Sequence, residues 1–383
     1  MNEKHGNNQK NIGIFGGKST LKNDEKVYRA VVVGGGAAGL FFAAKYGDKS
    51  TLILERGERA GRKLSATGGG WGNVTNENAA RFVEKRGYFT FEPAEMPKIR
   101  GAVQKYPPEE LRGFLSSLGV LTFADERGRV YPASRQASSI TDCLRREAAR
   151  RGAEIRTGEF VTDVFVLDSA VKKGEINGKN NGGINTEINA ARFEVKTGSG
   201  GAYLCENVVI CTGGKAAKNF GSDGNGYEIA KSLGNGVTPV FPALVQIGCA
   251  EKDLPALKGI RVFDGEITLL SGGREIARER GDILFTDFGV SGDCAFKISS
   301  YLPSGLLTGE CVMQIDFLPE TDEKEIETAI SKKLALYQEI PAEELAGGLL
   351  NNRAGAVIAA RAKKRLAENQ SMGESVGRDY KAA

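Results

Sequence analysis

The 383-residue sequence holds one histidine, His5. Histidine zinc ligands, a Ser-His-Asp triad and a Cys-His pair are therefore excluded as the seat of any chemistry. An enzyme so short of imidazole must leave hard steps to a cofactor or to other side chains. Cysteine is sparse as well. Cys143, Cys205, Cys211, Cys249, Cys294 and Cys311 are scattered, and no two stand at C-x-x-C spacing. That pattern reads as reduced, buried thiols in a cytoplasmic protein, with no metal site expected. No apolar run reaches the roughly 18 residues of a membrane span, so no membrane partner is expected. Residues 1–26 are polar, rich in Asn, Lys and Gly, and lack the apolar stretch of a secretory signal; they read as a disordered tail. Within them, Gly13 to Ser19 falls one residue short of a P-loop. A dominant charge is also missing: 52 Lys and Arg face 48 Asp and Glu, a net +4. Interspersed charge of both signs describes a solvated surface, and no nucleic-acid partner is expected.

What remains is an ordinary globular composition, with room for about two or three domains. Val27 to Val33 is short, β-branched and ends on glycines, as a buried strand does. Ala37 to Tyr46 suits a helix packed on a sheet, and Thr51 to Glu55 a second buried strand. Strand, helix and strand within about 30 residues make a βαβ unit with parallel strands. Arg59 to Asn76 reads as a glycine-rich loop. Ile140, Cys143, Leu144 and Ala148 share one helical face. Residues 154–168 hold two strands, 172–189 a mobile hairpin tip or insertion, and 192–197 and 203–211 two more strands. From 240 to 317 short strands dominate, at 243–248, 265–270 and 312–316. Helical spacing follows at Ile326, Ile330, Leu334 and Tyr337.

Gly34-Gly-Gly-Ala-Ala-Gly39 fits G-x-G-x-x-G. Gly34 permits the turn out of the strand, Gly36 the approach of a pyrophosphate, and Gly39 the close packing of helix on strand. Phosphate then meets the positive helix N-terminus, beside Ala37 and Ala38. Glu55 ends the next strand, where a carboxylate accepts ribose hydroxyls. Both FAD and NAD use this fingerprint. The following segment favours FAD. After Glu55 and Arg56 come Gly61-Arg62-Lys63, then Gly68-Gly69-Gly70 and Asn73. Two cations offset phosphate charge, and the glycines let backbone N–H groups approach a flat ring. The alternative is a solvated basic loop.

These motifs resemble the BaiN-like flavoprotein family, the aminoacetone-oxidase-type NAD(P)/FAD-dependent oxidoreductases. So do Thr212-Gly213-Gly214, Gly226-Tyr-Glu-Ile-Ala230 and Phe285-Thr-Asp-Phe-Gly-Val-Ser-Gly292. The resemblance covers about Val27 to Leu366. It implies an α/β fold: a Rossmann-type FAD/NAD(P)-binding domain in three ββα layers, with an inserted β-barrel plus helical domain. The implied parts are the FAD domain at 27–239, a β-rich insert at 240–320 and its helical part at 321–367. Thr212, Gly213 and Gly214 match the family's strand-end motif near the FAD. Val161 matches the strand residue whose backbone meets the adenine; by residue type alone it reads as core.

The sequence departs from the family in three places. Trp71-Gly72 replaces Arg-Cys, and Gly224-Asn225-Gly226 replaces Gly-Asp-Gly. Residues 368–383 form a polar tail where the family continues back into the flavin domain, as in a truncated member. The expected function is FAD-dependent hydride transfer to or from a small organic substrate, with NAD(P)H or oxygen as second redox partner. The alternatives are a non-catalytic flavin-fold binding protein and a plain NAD dehydrogenase. Catalytic residues and oligomeric state are not legible. Trp71 could stack on the ring or line a pocket. Tyr88, Tyr106 and Tyr131 are undistinguished proton donors, and Asp287 reads as a solvated turn carboxylate. Ser291 lacks a nucleophile elbow, which argues against a hydrolase.

Overall fold

The computed structural model describes residues 26–84, 93–167, 191–303 and 307–379. All but the last residue of the expected tail at 1–26, the hairpin tip at 172–189 and Tyr88 lie outside the described residues. The chain divides after Thr238 into two compact units.

In the first unit, β1 (Val27–Val33), α1 (Ala37–Tyr46) and β2 (Thr51–Glu55) stand where the sequence puts them. The segment expected as a loop instead winds into α2 (Arg62–Ser65) and a 3-10 turn at Thr67–Gly70. Four-residue turns are too short to show a helical period, and positive φ at Gly68 and Gly69 stops the second one. Next come β3 (Thr75–Asn76), α3 (Ala79–Glu84), α4 (Met96–Lys105), α5 (Pro108–Ser117), β4 (Thr122–Ala124) and β5 (Arg129–Pro132). The three strands make a small antiparallel sheet, β3-β5-β4. Helix α6 (Ala137–Arg150) buries Ile140, Leu144 and Ala148 on the expected face, with Cys143 half-buried. Then follow β6 (Glu154–Thr157), β7 (Val161–Val166), β8 (Phe193–Thr197), β9 (Ala202–Ile210) and α7 (Asn225–Ser232).

The main sheet runs β6-β2-β1-β9-β8-β7. Its first four strands are parallel, and β7, β8 and β9 form an antiparallel meander. The two-residue period of the strands sorts the core into two layers. Val32 and Ile53 meet Leu40, Ala43 and Ala44 of α1 and Ile140, Leu144 and Ala148 of α6. Val31, Val33, Leu52 and Leu54 point the other way, toward Val161, Val164, Val195 and Ile229. Each buried Val, Leu or Ile contributes roughly 1.5–3 kcal/mol by leaving water. Burial on both faces explains why Ala30 to Val33 and Leu52 to Leu54 read as continuous apolar runs.

The second unit comprises β10 (Ile247–Gly248), α8 (Leu254–Leu257), β11 (Arg261–Ser271), β12 (Arg274–Phe285), β13 (Gly289–Ser291), α9 (Asp293–Ser299), β14 (Cys311–Asp316), α10 (Glu323–Leu336) and α11 (Asn352–Asp379). Its five strands pair antiparallel in the order β10-β13-β12-β11-β14. The described sheet is open, with β10 and β14 as edges, where a closed barrel was expected. Ile267, Leu269, Ile283, Phe285 and Ile298 form its core. The expected strand at 243–248 shrinks to its last two residues. β12 is absent from the sequence reading because its charged residues mask its period. The expected apolar stripe of α10 is not buried: Leu334 is 50% and Tyr337 58% exposed. Residues 368–379, expected as a tail, continue the backbone of α11. Among the described residues no helix is long and apolar enough to cross a membrane.

Candidate functional site

A cavity of about 640 Å³ opens at the carboxyl ends of β1, β2 and β9 in the first unit. The glycine turn shapes its floor. Gly34 has φ of 101°, and a Cβ at Gly39 would lie 2.1 Å from the Gly34 carbonyl oxygen. Only glycine there lets α1 start directly on β1. At Gly36, by contrast, a Cβ would find no atom nearer than 4.0 Å. The space over that position is open. No described side chain caps α1, and its first turn carries no acidic residue. The helix therefore presents uncapped N–H groups and the positive end of its dipole toward the cavity, beside Gly36, Ala37 and Ala38.

Glu55 is locked in place. Its Oε2 accepts the Gly35 N–H at 2.8 Å and its Oε1 the Gly57 N–H at 2.7 Å. Each oxygen retains acceptor capacity for a hydroxyl. Four cationic residues, Arg56, Arg59, Arg62 and Lys63, line the same cavity. Two of them are committed elsewhere. Arg56 donates to Asp223 Oδ2 at 2.7 Å and to the Gly221 carbonyl at 3.1 Å, and its guanidinium lies 4.5 Å from the Phe160 ring centroid. Arg59 pairs with Asp142 at 3.3 Å. Lys63 makes no ion pair with any described residue. It lies close to the strand-end loop: its Nζ is 3.3 Å from where a Gly213 Cβ would stand. On the far wall the Val161 side chain is buried, and its carbonyl accepts the Asn225 amide Nδ2 at 3.2 Å. Arg56 in turn holds the Asp223 carboxyl below the usual aspartate range.

The structure thus brings together Gly34, Gly36, Ala37, Ala38, Glu55, Arg56, Gly61, Arg62, Lys63, Val161, Thr212 and Gly213 around one cavity. Gly39 sits beneath the turn. Gly68, Gly69, Gly70 and Gly214 do not line the cavity. Asn73 lines a neighbouring one of about 400 Å³. Phe160 and Asp223 also line the cleft, as do Asn225 and Tyr227, which the sequence marks only as parts of motifs. The Gly224-Asn225-Gly226 departure was the available signal. Trp71 lines neither cavity. It is 47% exposed, edge-on to Tyr131 at 5.9 Å, with the Arg135 guanidinium 4.9 Å away. Asp287 is an exposed carboxylate paired with Lys258 at 2.9 Å.

A βαβ floor, an uncapped helix N-terminus and a fixed carboxylate on the adjacent strand define a dinucleotide-binding site of the Rossmann class. The chain belongs to the HI0933-like protein Rossmann domain family, whose model matches residues 28–349. It is 32% identical over 311 residues to a 3-dehydro-bile acid delta(4,6)-reductase of Clostridium scindens, covering 80% of this chain and 68% of that one. It is 28% identical to a ribosomal RNA dihydrouridine synthase of Haemophilus influenzae, covering 71% and 61%. A ribosomal RNA dihydrouridine synthase of Escherichia coli is 27% identical, covering 77% and 65%. The chain therefore spans about two thirds of the length of these relatives.

Proposed function

We propose that the cleft binds FAD and that the protein reduces an activated carbon–carbon double bond of a small organic substrate, with NAD(P)H as electron source. One observation carries the dinucleotide assignment, and the resemblance to FAD-dependent oxidoreductases supports FAD over NAD. Open space over Gly36 meets an uncapped helix N-terminus on one side and the fixed Glu55 carboxylate on the other. These groups fit a dinucleotide. The α1 amides with Lys63 and Arg62 would take the pyrophosphate, and Glu55 the adenosine ribose. The Val161 backbone would meet the adenine, and Thr212 and Gly213 would lie along the far side. When bound, FAD supplies reversible hydride transfer. The protein's own part is to orient: the glycine floor fixes distance, Lys63 offsets phosphate charge, and Arg56 stacked on Phe160 pins the rim to Asp223.

The double bond as target comes from the relatives, whose names describe a delta(4,6)-reductase and dihydrouridine formation. Purified protein titrated with FAD tests the reading. A bound flavin spectrum, bleached by NAD(P)H and restored by an enone, supports it. A colourless protein that FAD does not alter sinks it. A bound flavin that NAD(P)H cannot reduce points to a flavin-binding protein without this turnover.

A further inference from the structure

The second cavity of the first unit, about 400 Å³, lies beside the cleft. Its size falls within the range of small-molecule pockets, about 300–1,000 Å³. Phe41, Leu64, Leu111, Leu115, Ile140 and Leu144 make its walls apolar. It shares Ala37, Ala38, Leu64 and Thr67 with the cleft, so the first turn of α1 is a common wall. A ligand held here would stand next to whatever the cleft holds.

Thr67, Asn73, Thr75 and Glu110 also line the cavity, with one cation, Lys45. Lys45 Nζ lies 5.5–5.8 Å from the ring centroids of Phe41, Tyr46, Tyr106 and Phe114. Those distances approach the limit of about 6 Å for a cation–π contact. Its carboxylate partner, Glu110, is 3.9 Å away, too far for a hydrogen bond. Yet the Lys45 side chain is only 23% exposed. A partly desolvated ammonium is thus held by four distant rings and one loose carboxylate. An incoming carboxylate would gain a short charge-assisted hydrogen bond there in place of Glu110, whose side chain is 61% exposed and can turn to solvent. Tyr106 also lines the cavity, its hydroxyl 3.1 Å from that of Tyr46.

We infer that this cavity binds an organic carboxylate with a flat apolar body. The carboxylate sits on Lys45, and the body lies along Phe41, Leu111 and Leu144. The inference deepens the flavin reading and rests on it only in making this ligand the substrate.

Calorimetric titration with 2-naphthoate and its neutral isostere 2-naphthamide, with and without saturating FAD, tests it. The carboxylate is expected to bind at least tenfold more tightly than the amide, with FAD changing neither. Lys45→Met should bring 2-naphthoate to the affinity of the amide while leaving the amide and the unfolding midpoint unchanged. Leu111→Trp, which fills the cavity, should abolish binding of both. Equal affinity for the two probes, no binding of either, or indifference to Lys45→Met would overturn the inference. Displacement of 2-naphthoate by FAD would also overturn it and give the cavity to the flavin. Lys45-dependent binding in a protein that takes up no FAD would uphold this site and remove the flavin reading alone.

Discussion

Asn225 donates its side-chain amide to the backbone carbonyl of Val161 in the wall of the cleft, at 3.2 Å. The two residues are 64 positions apart, and the bond ties the first turn of α7 to the start of β7. An aspartate, which the resembling family carries here, offers no donor to that carbonyl. Asn225→Asp sets two effects against each other. A carboxylate at a helix N-terminus gains about 0.3–1 kcal/mol. Losing a partly buried hydrogen bond and opposing two acceptors costs about 1–3 kcal/mol. The loss wins, and Asp223 next to it adds repulsion. Denaturant unfolding should show a net destabilisation of about 1 kcal/mol. An Asn225→Asp midpoint above wild type would contradict this account of the bond.

Glu55 serves structure as well as any ligand. Glu55→Gln replaces one acceptor oxygen with an amide that must face the N–H of Gly35 or Gly57. A destabilisation of about 1–3 kcal/mol is expected, together with weaker FAD binding. Stability equal to wild type would show that neither backbone contact persists in solution.

The Arg56–Asp223 pair gives a dependence on pH. Hydrogen bonding to Arg56 holds the Asp223 carboxyl below its ordinary value of 3.8, against a smaller desolvation effect. A depressed carboxylate contributes stability that is present above the unfolded value and fades as pH falls through the folded one. The side chains are 38% and 46% exposed, so solvent screens the pair, and Arg56→Ala should cost less than about 1 kcal/mol at neutral pH. The gap between wild-type and Arg56→Ala unfolding midpoints should narrow in acid below pH 3.8 and in high salt. A gap that widens on acidification would contradict the pairing.

Local patterns were legible and distant ones were not. β1, α1 and β2 matched residue for residue because each is a short apolar element bounded by glycine or a tight polar turn. The face of α6 was legible from its period. The Arg56–Asp223 and Asn225–Val161 contacts join residues far apart in sequence, and no local period announces them. Asn73 and the Gly68–Gly70 run were placed with the cleft on composition. In the structure the Gly68–Gly70 run forms a 3-10 turn outside the cleft lining, and Asn73 lines the neighbouring cavity. The stripe on α10 had the correct spacing for burial, but spacing alone cannot supply a partner for it.

The cysteines give a chemical probe of the fold. Burial pushes the Cys205 thiol up to about 12 and Cys294 up to about 11, while Cys311 is exposed. A thiol-disulfide reagent needs both access and thiolate. Cys311 should react first in the native protein, and Cys205 and Cys294 only after denaturation, when all six become titratable. Rapid native labelling of Cys205 would place β9 outside the core.

The central claim is that FAD phosphates sit on the α1 N-terminus, and Gly36→Ala tests it most directly. Gly36 has φ of −76° and no atom nearer than 4.0 Å to an added Cβ, so the substitution brings neither strain nor clash. It does put a methyl group where the pyrophosphate must approach. The measurement is FAD affinity by titration of the bound-flavin spectrum, beside the thermal midpoint, for wild type and Gly36→Ala. The expected result is an unchanged midpoint with FAD affinity lowered at least tenfold. Equal affinity in the two proteins would put FAD elsewhere, and no binding to wild type would contradict the claim outright.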